Sequence, residues 1–161
     1  MTPDVPILEQ VKLQAQVLVP LVKALQAELG EERAQAIVRT ALAGHYRKLG
    51  ERWWQAQGKA NLGDTAAGAF KTLFAGGGAL DYTVIRQAPD AFDADVTGCR
   101  YAEFFKAIGA PELGFLLVCS ADFPMAEGFG PGAKLERTQT IMQGASRCDF
   151  RYRLKNTGGD R

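Results

Sequence analysis

Gly76-Gly77-Gly78-Ala79-Leu80-Asp81-Tyr82-Thr83-Val84-Ile85-Arg86-Gln87-Ala88-Pro89-Asp90-Ala91-Phe92-Asp93-Ala94-Asp95-Val96-Thr97-Gly98-Cys99 is the stretch in which the chain changes its hydrophobic period. Three glycines end a helical pattern abruptly. Beyond them Tyr82, Val84 and Arg86 alternate with Thr83 and Ile85, as successive side chains of a strand do. Ala88-Pro89-Asp90 is turn chemistry. Phe92, Ala94 and Val96 then alternate with Asp93, Asp95 and Thr97, a strand with one apolar and one wet face. The link is too short for a parallel crossover, so the two strands form an antiparallel hairpin.

Upstream the period is helical throughout. Leu8, Val11, Leu18, Val22, Leu25 and Leu29 follow three-four spacing, and Gly30 is a natural stop. Pro20 predicts a kink or two consecutive helices. Glu31 and Glu32 suit the positive end of a second helix dipole. The inward stripe of that helix is Ala34, Val38, Ala41, His45 and Leu49, continuing towards Trp53 and Trp54. Asp64 or Thr65 is the expected cap of a third helix carrying Phe70, Leu73 and Phe74.

Downstream, Tyr101, Phe104, Phe105 and Ile108 return to helical spacing, and Pro111 opens a further helix at its preferred first position. Gly128-Phe129-Gly130-Pro131-Gly132 reads as a loop able to act as a lid. Lys134 to Met142 and Arg147 to Leu154 read as two more strands, joined across Gly144-Ala145-Ser146. The tail from Asn156 is expected to fray. The prediction is one α+β domain over residues 1–161. Its helical part spans 5–77 and packs on a roughly four-stranded antiparallel sheet, with a helical insert, over 80–155.

Composition excludes several function classes. At 161 residues the chain can bury one good core. Its 19 Lys plus Arg against 18 Asp plus Glu leave a net charge of +1, no electrostatic footprint for nucleic acid. No stretch approaches the ~18 uninterrupted apolar residues of a membrane span. The start has no signal-peptide pattern. Three irregularly spaced cysteines argue against a disulfide framework and for a reducing compartment, so the cytoplasm is the expected location. The expected partner is a small-molecule substrate, and a homo-oligomer stays open.

The three cysteines mark the candidate chemistry. Cys119 and Asp122, three apart on a predicted helix, project from neighbouring positions. The carboxylate there could orient a base or water, although alone it raises the thiol pKa. The plain alternative is a buried thiol beside an aspartate that ends the helix. Cys148 shares a strand face with Phe150 and Tyr152 and points inward, while Asp149, Arg151 and Arg153 take the other face. Cys99, where a strand meets a helix N-terminus, has a dipole route to reactivity, or simply fills a tight corner. Arg137, on a mostly apolar strand face, suggests a bidentate carboxylate grip or an exposed edge position. His45 is the sole histidine, a core residue or a base. Three cysteines and His45 match a zinc donor set in composition but not in paired spacing, so no metal and no cofactor is expected. The chain also lacks G-x-S-x-G, H-E-x-x-H, a phosphate loop and the dinucleotide fingerprint.

Taken in order, Cys99-Arg100-Tyr101, Pro111-Glu112-Leu113-Gly114, Cys119-x-x-Asp122, Arg137-x-x-Thr140 and Gly144-x-x-x-Cys148-Asp149-Phe150 resemble the L-2-amino-thiazoline-4-carboxylic acid hydrolase family of small bacterial proteins. Leu29-Gly30-Glu31-Glu32-Arg33-Ala34 adds a weaker match over the helices. A fainter similarity is to vinyl-reductase-type ligand-binding domains, which leaves a non-catalytic sensor as the alternative. The resemblance implies a hydrolase that opens a small cyclic amidine or thiazoline-type ring bearing a carboxylate, giving N-carbamoyl-L-cysteine in the named reaction. That chemistry needs a nucleophile or base, an acid and a cation. Cys119 or Cys148 is the candidate nucleophile or proton donor, Asp122 the orienter or water base, and Arg137 the carboxylate clamp. Cys99 and Asp149 are supporting candidates. The expected site is an apolar cavity between helices and sheet, roofed by His45, walled by Tyr101, Trp53 or Trp54, and gated by Gly128 to Gly132.

Overall fold

A computed structural model describes residues 5–155, so the expected fraying from Asn156 lies outside the described residues. Helix α1 (Ile7–Leu29) and helix α2 (Glu31–Ala56) form a hairpin about Gly30, whose φ of +84° is the left-handed backbone that favours glycine. Pro20 lies inside one continuous α1 rather than between two helices. Helix α3 (Leu62–Ala69) is capped by Asn61, whose side chain accepts the Asp64 N–H at 2.9 Å. Asn61 Nδ2 in turn donates to the Asp64 carboxylate, so Asp64 supports the cap without being it. The chain then widens into a single π-helical turn, Phe70–Phe74, and tightens to a 3₁₀ turn at Gly76–Gly78.

Strands β1 (Leu80–Ala88) and β2 (Ala91–Cys99) form the hairpin that the sequence predicts. Helices α4 (Arg100–Ala107), α5 (Pro111–Leu117) and α6 (Asp122–Glu127) make the insert, with a 3₁₀ turn at Cys119–Ala121. Strands β3 (Ala133–Glu136) and β4 (Cys148–Leu154) complete an antiparallel sheet of order β1-β2-β4-β3. The fold is α+β, as expected. The predicted strand from Lys134 to Met142 is shorter: pairing stops at Glu136, and Ile141–Gln143 is a 3₁₀ turn. The reason lies on the neighbouring strand. Asp149 accepts the backbone N–H groups of Thr138 and Gln139, at 2.9 and 3.0 Å, and the Thr138 hydroxyl. A carboxylate replaces the carbonyl ladder there, and the chain leaves the sheet.

The inner face of the sheet carries one core. Phe70 is fully buried, with ring centroids 4.9 Å from Phe150, 5.2 Å from Tyr82 and 5.4 Å from Phe92. A second core joins α1, α2, α4 and α5 through Val22, Val38, Phe105 and Leu113. The outer face of β2 is drier than its sequence suggests. Asp93 is buried under Arg153, and Asp95 pairs with Arg147 and Arg151 at 2.8 Å each. Long arginine stems from β4 lie over the alternating aspartates and remove them from water.

Candidate functional site

Between the two cores lies a cavity of about 350 Å³, walled by α1, α2, the π turn, β1, β2, α4, the Cys119 turn, α6 and β4. Its lining includes Cys99, Cys119, Cys148, Asp122, Arg137, Tyr101 and His45, which the sequence names singly and the fold brings together. Asp149 is not among them: it sits on the other side of β4. Trp53 and Trp54 are absent from the wall too. Their indole N–H groups donate to the carbonyls of Thr65 and Ala60.

The charged centre is an ion pair. Asp122 opens α6, and Arg137 follows directly on β3, so two element ends place the partners face to face. Arg137 Nη1 donates to Asp122 Oδ2 at 2.7 Å, and Nη2 donates to the Cys119 carbonyl at 3.0 Å. The guanidinium side chain is only 2% exposed, with its carbon 4.9 Å from the Phe123 ring centroid and 5.1 Å from that of Phe150. Aromatic faces on either side replace part of its lost hydration. Asp122 therefore takes up part of the carboxylate grip foreseen for Arg137. Among the described residues only two of its N–H groups are engaged, and the guanidinium still lines the cavity.

Burial pushes the Asp122 carboxyl up to about 6, against the opposing pull of Arg137. Its second oxygen accepts no hydrogen bond from the described residues and is not sealed from the cavity. Near neutral pH this group can both take and give a proton.

The thiols lie in the opposite regime. Burial pushes Cys99 up to about 11, despite the N–H groups of Ala102 and Tyr101. Cys99 caps α4, its sulfur accepting the Ala102 N–H at 3.4 Å, so the dipole route to a thiolate exists but desolvation outweighs it. Cys119 is held well above its ordinary range by burial and by Asp122. Cys148 is also raised by burial, while its sulfur accepts the Ile141 N–H at 3.2 Å.

His45 lies on the exposed side of α2 and reaches the cavity at its rim, rather than on an inward stripe. The inward position belongs to its neighbour Tyr46, whose hydroxyl burial and Asp122 hold above the ordinary range. A stripe of Leu42, Tyr46, Leu49 and Trp53, all half-buried, carries the signal that could have found it. The Tyr101 hydroxyl donates to the Phe74 carbonyl at 2.9 Å, tying α4 to the π turn. No sequence signal marks that turn, which sets Leu73 and Phe74 into the wall.

Nor is Gly128 to Gly132 a gate. Phe129 is buried and stacks on Tyr152 with centroids 5.8 Å apart, and Gly128 lies against the α2 backbone at Arg47 to Glu51. The glycines allow close packing, and the segment lies outside the cavity lining. Among the described residues, no three His, Cys, Asp or Glu side chains meet in an arrangement that could hold a metal ion. No described helix is long and apolar enough to cross a membrane.

The family model described as L-2-amino-thiazoline-4-carboxylic acid hydrolase matches residues 10–152, and the chain belongs to that family. Comparison with curated proteins gives no match. Among solved structures, the chain is similar to trafficking protein particle complex subunit 3 from Naegleria fowleri, in a crystal structure of that protein covalently bound to palmitic acid. The TM-score is 0.53 at 16% identity, over 90% of this chain and 97% of that one. At that identity the likeness is one of fold.

Proposed function

We propose that this member of the L-2-amino-thiazoline-4-carboxylic acid hydrolase family is itself a hydrolase that opens a small thiazoline-type or cyclic amidine ring, with Asp122 as its acid–base group. The observation that carries the reading is a carboxyl pushed up to about 6 on the wall of an apolar cavity, one oxygen clamped by Arg137 and the other open. In the named reaction water adds to the ring carbon between nitrogen and sulfur. Asp122 takes the proton from that water as the C–O bond forms. The carbon–sulfur bond then breaks, the proton passes from Asp122 to the departing sulfur, and the proton of the new hydroxyl moves to the ring nitrogen as the C=O bond forms. One water is consumed, its oxygen becomes the carbamoyl oxygen, and a free thiol is released.

Arg137 fixes the carboxyl and offers its remaining N–H groups to the substrate carboxylate. The cysteines act as protonated wall groups, because a thiol held far above neutral supplies little thiolate. Incubation with 2-amino-thiazoline-4-carboxylate, read by mass spectrometry for N-carbamoyl-cysteine, tests the reading. Turnover is expected to rise with pH through about 6 and to fall by roughly 10²–10⁴-fold in Asp122→Asn. Full turnover in that variant would remove Asp122 from the mechanism.

A second reading is a binding module that holds its ligand unchanged. Three thiols kept protonated in an apolar cavity favour it, and a protein of the same fold is found covalently bound to palmitic acid. Recovery of a tightly bound, chemically intact ring compound would select this reading over the hydrolase.

A further inference from the structure

The cavity is too large for the ring alone. It measures about 350 Å³, the range of drug-sized ligands. A 2-amino-thiazoline-4-carboxylate has roughly nine non-hydrogen atoms, bonded and so packed closer than waters at ~30 Å³ each, and it fills about half of that space. On the order of 150 Å³ is left, room for roughly five methylene-sized groups.

What fills the remainder is decided by the wall. Val11, Leu73, Phe74, Leu80, Val118 and Phe150 all face the cavity. Four polar groups of the lining are already engaged within the chain. The Tyr101 hydroxyl donates to the Phe74 carbonyl, and the Cys99 and Cys148 sulfurs accept backbone N–H groups. Gln10 Nε2 donates to the Val5 carbonyl at 2.7 Å. A polar extension seated against these apolar side chains would lose its water and find few partners there, at a cost that exceeds the packing it makes. Water left in the space would find few partners. A hydrocarbon extension loses nothing.

On the hydrolase reading above, we infer that the substrate carries an apolar substituent, a hydrocarbon of roughly five carbons on its ring or exocyclic nitrogen, seated against α1, the π turn and β1. The chain is thereby specific for an amphipathic ring compound over the bare ring.

A series of 2-(alkylamino)-thiazoline-4-carboxylates, from methyl to octyl, tests this on the wild-type protein. Calorimetry gives Kd, and mass spectrometry gives turnover for each member. Affinity is expected to tighten about fourfold per methylene and to level off near five carbons. In Val11→Phe, which puts a ring into the space, the plateau should come at a shorter chain. A Kd independent of chain length, or weaker for longer chains, overturns the inference even if the bare ring is hydrolysed. Chain-dependent binding without turnover of any member defeats the hydrolase reading and leaves the apolar substituent standing. A series in which no member binds counts against both.

Discussion

Asp122→Asn should change the stability of this protein by an amount that depends on pH, increasingly in the variant's favour as pH rises. The carboxyl titrates at about 6 in the fold against an ordinary 3.8, and its side chain is only 18% exposed. The folded state therefore holds its proton more tightly than the unfolded state does. Stability from this group is full below about 3.8, is lost as pH rises towards about 6, and is gone above it. At ~1.4 kcal/mol per tenfold change, the gap between 3.8 and about 6 corresponds to about 3 kcal/mol. Asparagine keeps the shape and removes the ionisation, so the stability difference should move towards the variant by about 3 kcal/mol between pH 3.5 and pH 7.5, on top of a pH-independent offset from changing the group that Arg137 contacts. Urea unfolding followed by the fluorescence of Trp53 and Trp54 measures the difference between the two proteins, in which the other titrating groups cancel. A difference that stays constant with pH, or that favours wild type increasingly as pH rises, would refute the desolvation argument. The latter would mean that the pull of Arg137 exceeds the burial cost.

Two further outcomes follow from the same site. Iodoacetamide at pH 8 should alkylate Cys99 about a hundredfold more slowly in the native protein than in urea, because its thiol is pushed from 9.0 to about 11; equal rates measured by intact-mass spectrometry would contradict this. Gly50→Ala should cost about 1–3 kcal/mol and lower turnover, since a Cβ at Gly50 meets the Met125 carbonyl and forces α6, with Asp122 at its start, away from α2; unchanged urea midpoint and turnover would show that the helices yield without strain.

Local patterns in the chain account for much of this architecture. The stop at Gly30, the hairpin across Ala88-Pro89-Asp90 and the Pro111 helix start are each written within a few residues, and each forms where expected. Patterns misled where the deciding partner is distant in sequence. Alternation from Lys134 predicts a long strand, yet Asp149 draws the Thr138 and Gln139 backbone out of the sheet. Glycines at 128, 130 and 132 signal a mobile loop, yet Gly128 packs closely on α2 and Gly130 on Trp54, while Gly130 and Gly132 supply the positive φ of the turn before β3. Pro20 signals a kink or two consecutive helices, and α1 runs through it as one helix. His45 and Tyr46 differ by one residue, which is 100° around the helix, and the stripe through Leu42 and Trp53 belongs to Tyr46.

The chemistry divides in the same way. Residue order alone marked Cys99, Cys119, Asp122, Arg137 and Cys148 as unusual: the thiols by their short polar contexts at element boundaries, Asp122 by its spacing from Cys119, and Arg137 by its place on a mostly apolar face. Their types and positions along the chain were legible, and so was the α+β plan that holds them, since periodicity and turn residues act locally. Only the tertiary structure decided that these five side chains line one cavity while Asp149 faces away, that Arg137 spends its charge on Asp122, and that the thiols stay protonated while the carboxyl comes near neutrality. Those outcomes depend on desolvation and on partners drawn from distant segments. Burial and distance are properties of the packed chain, and no local spacing records them.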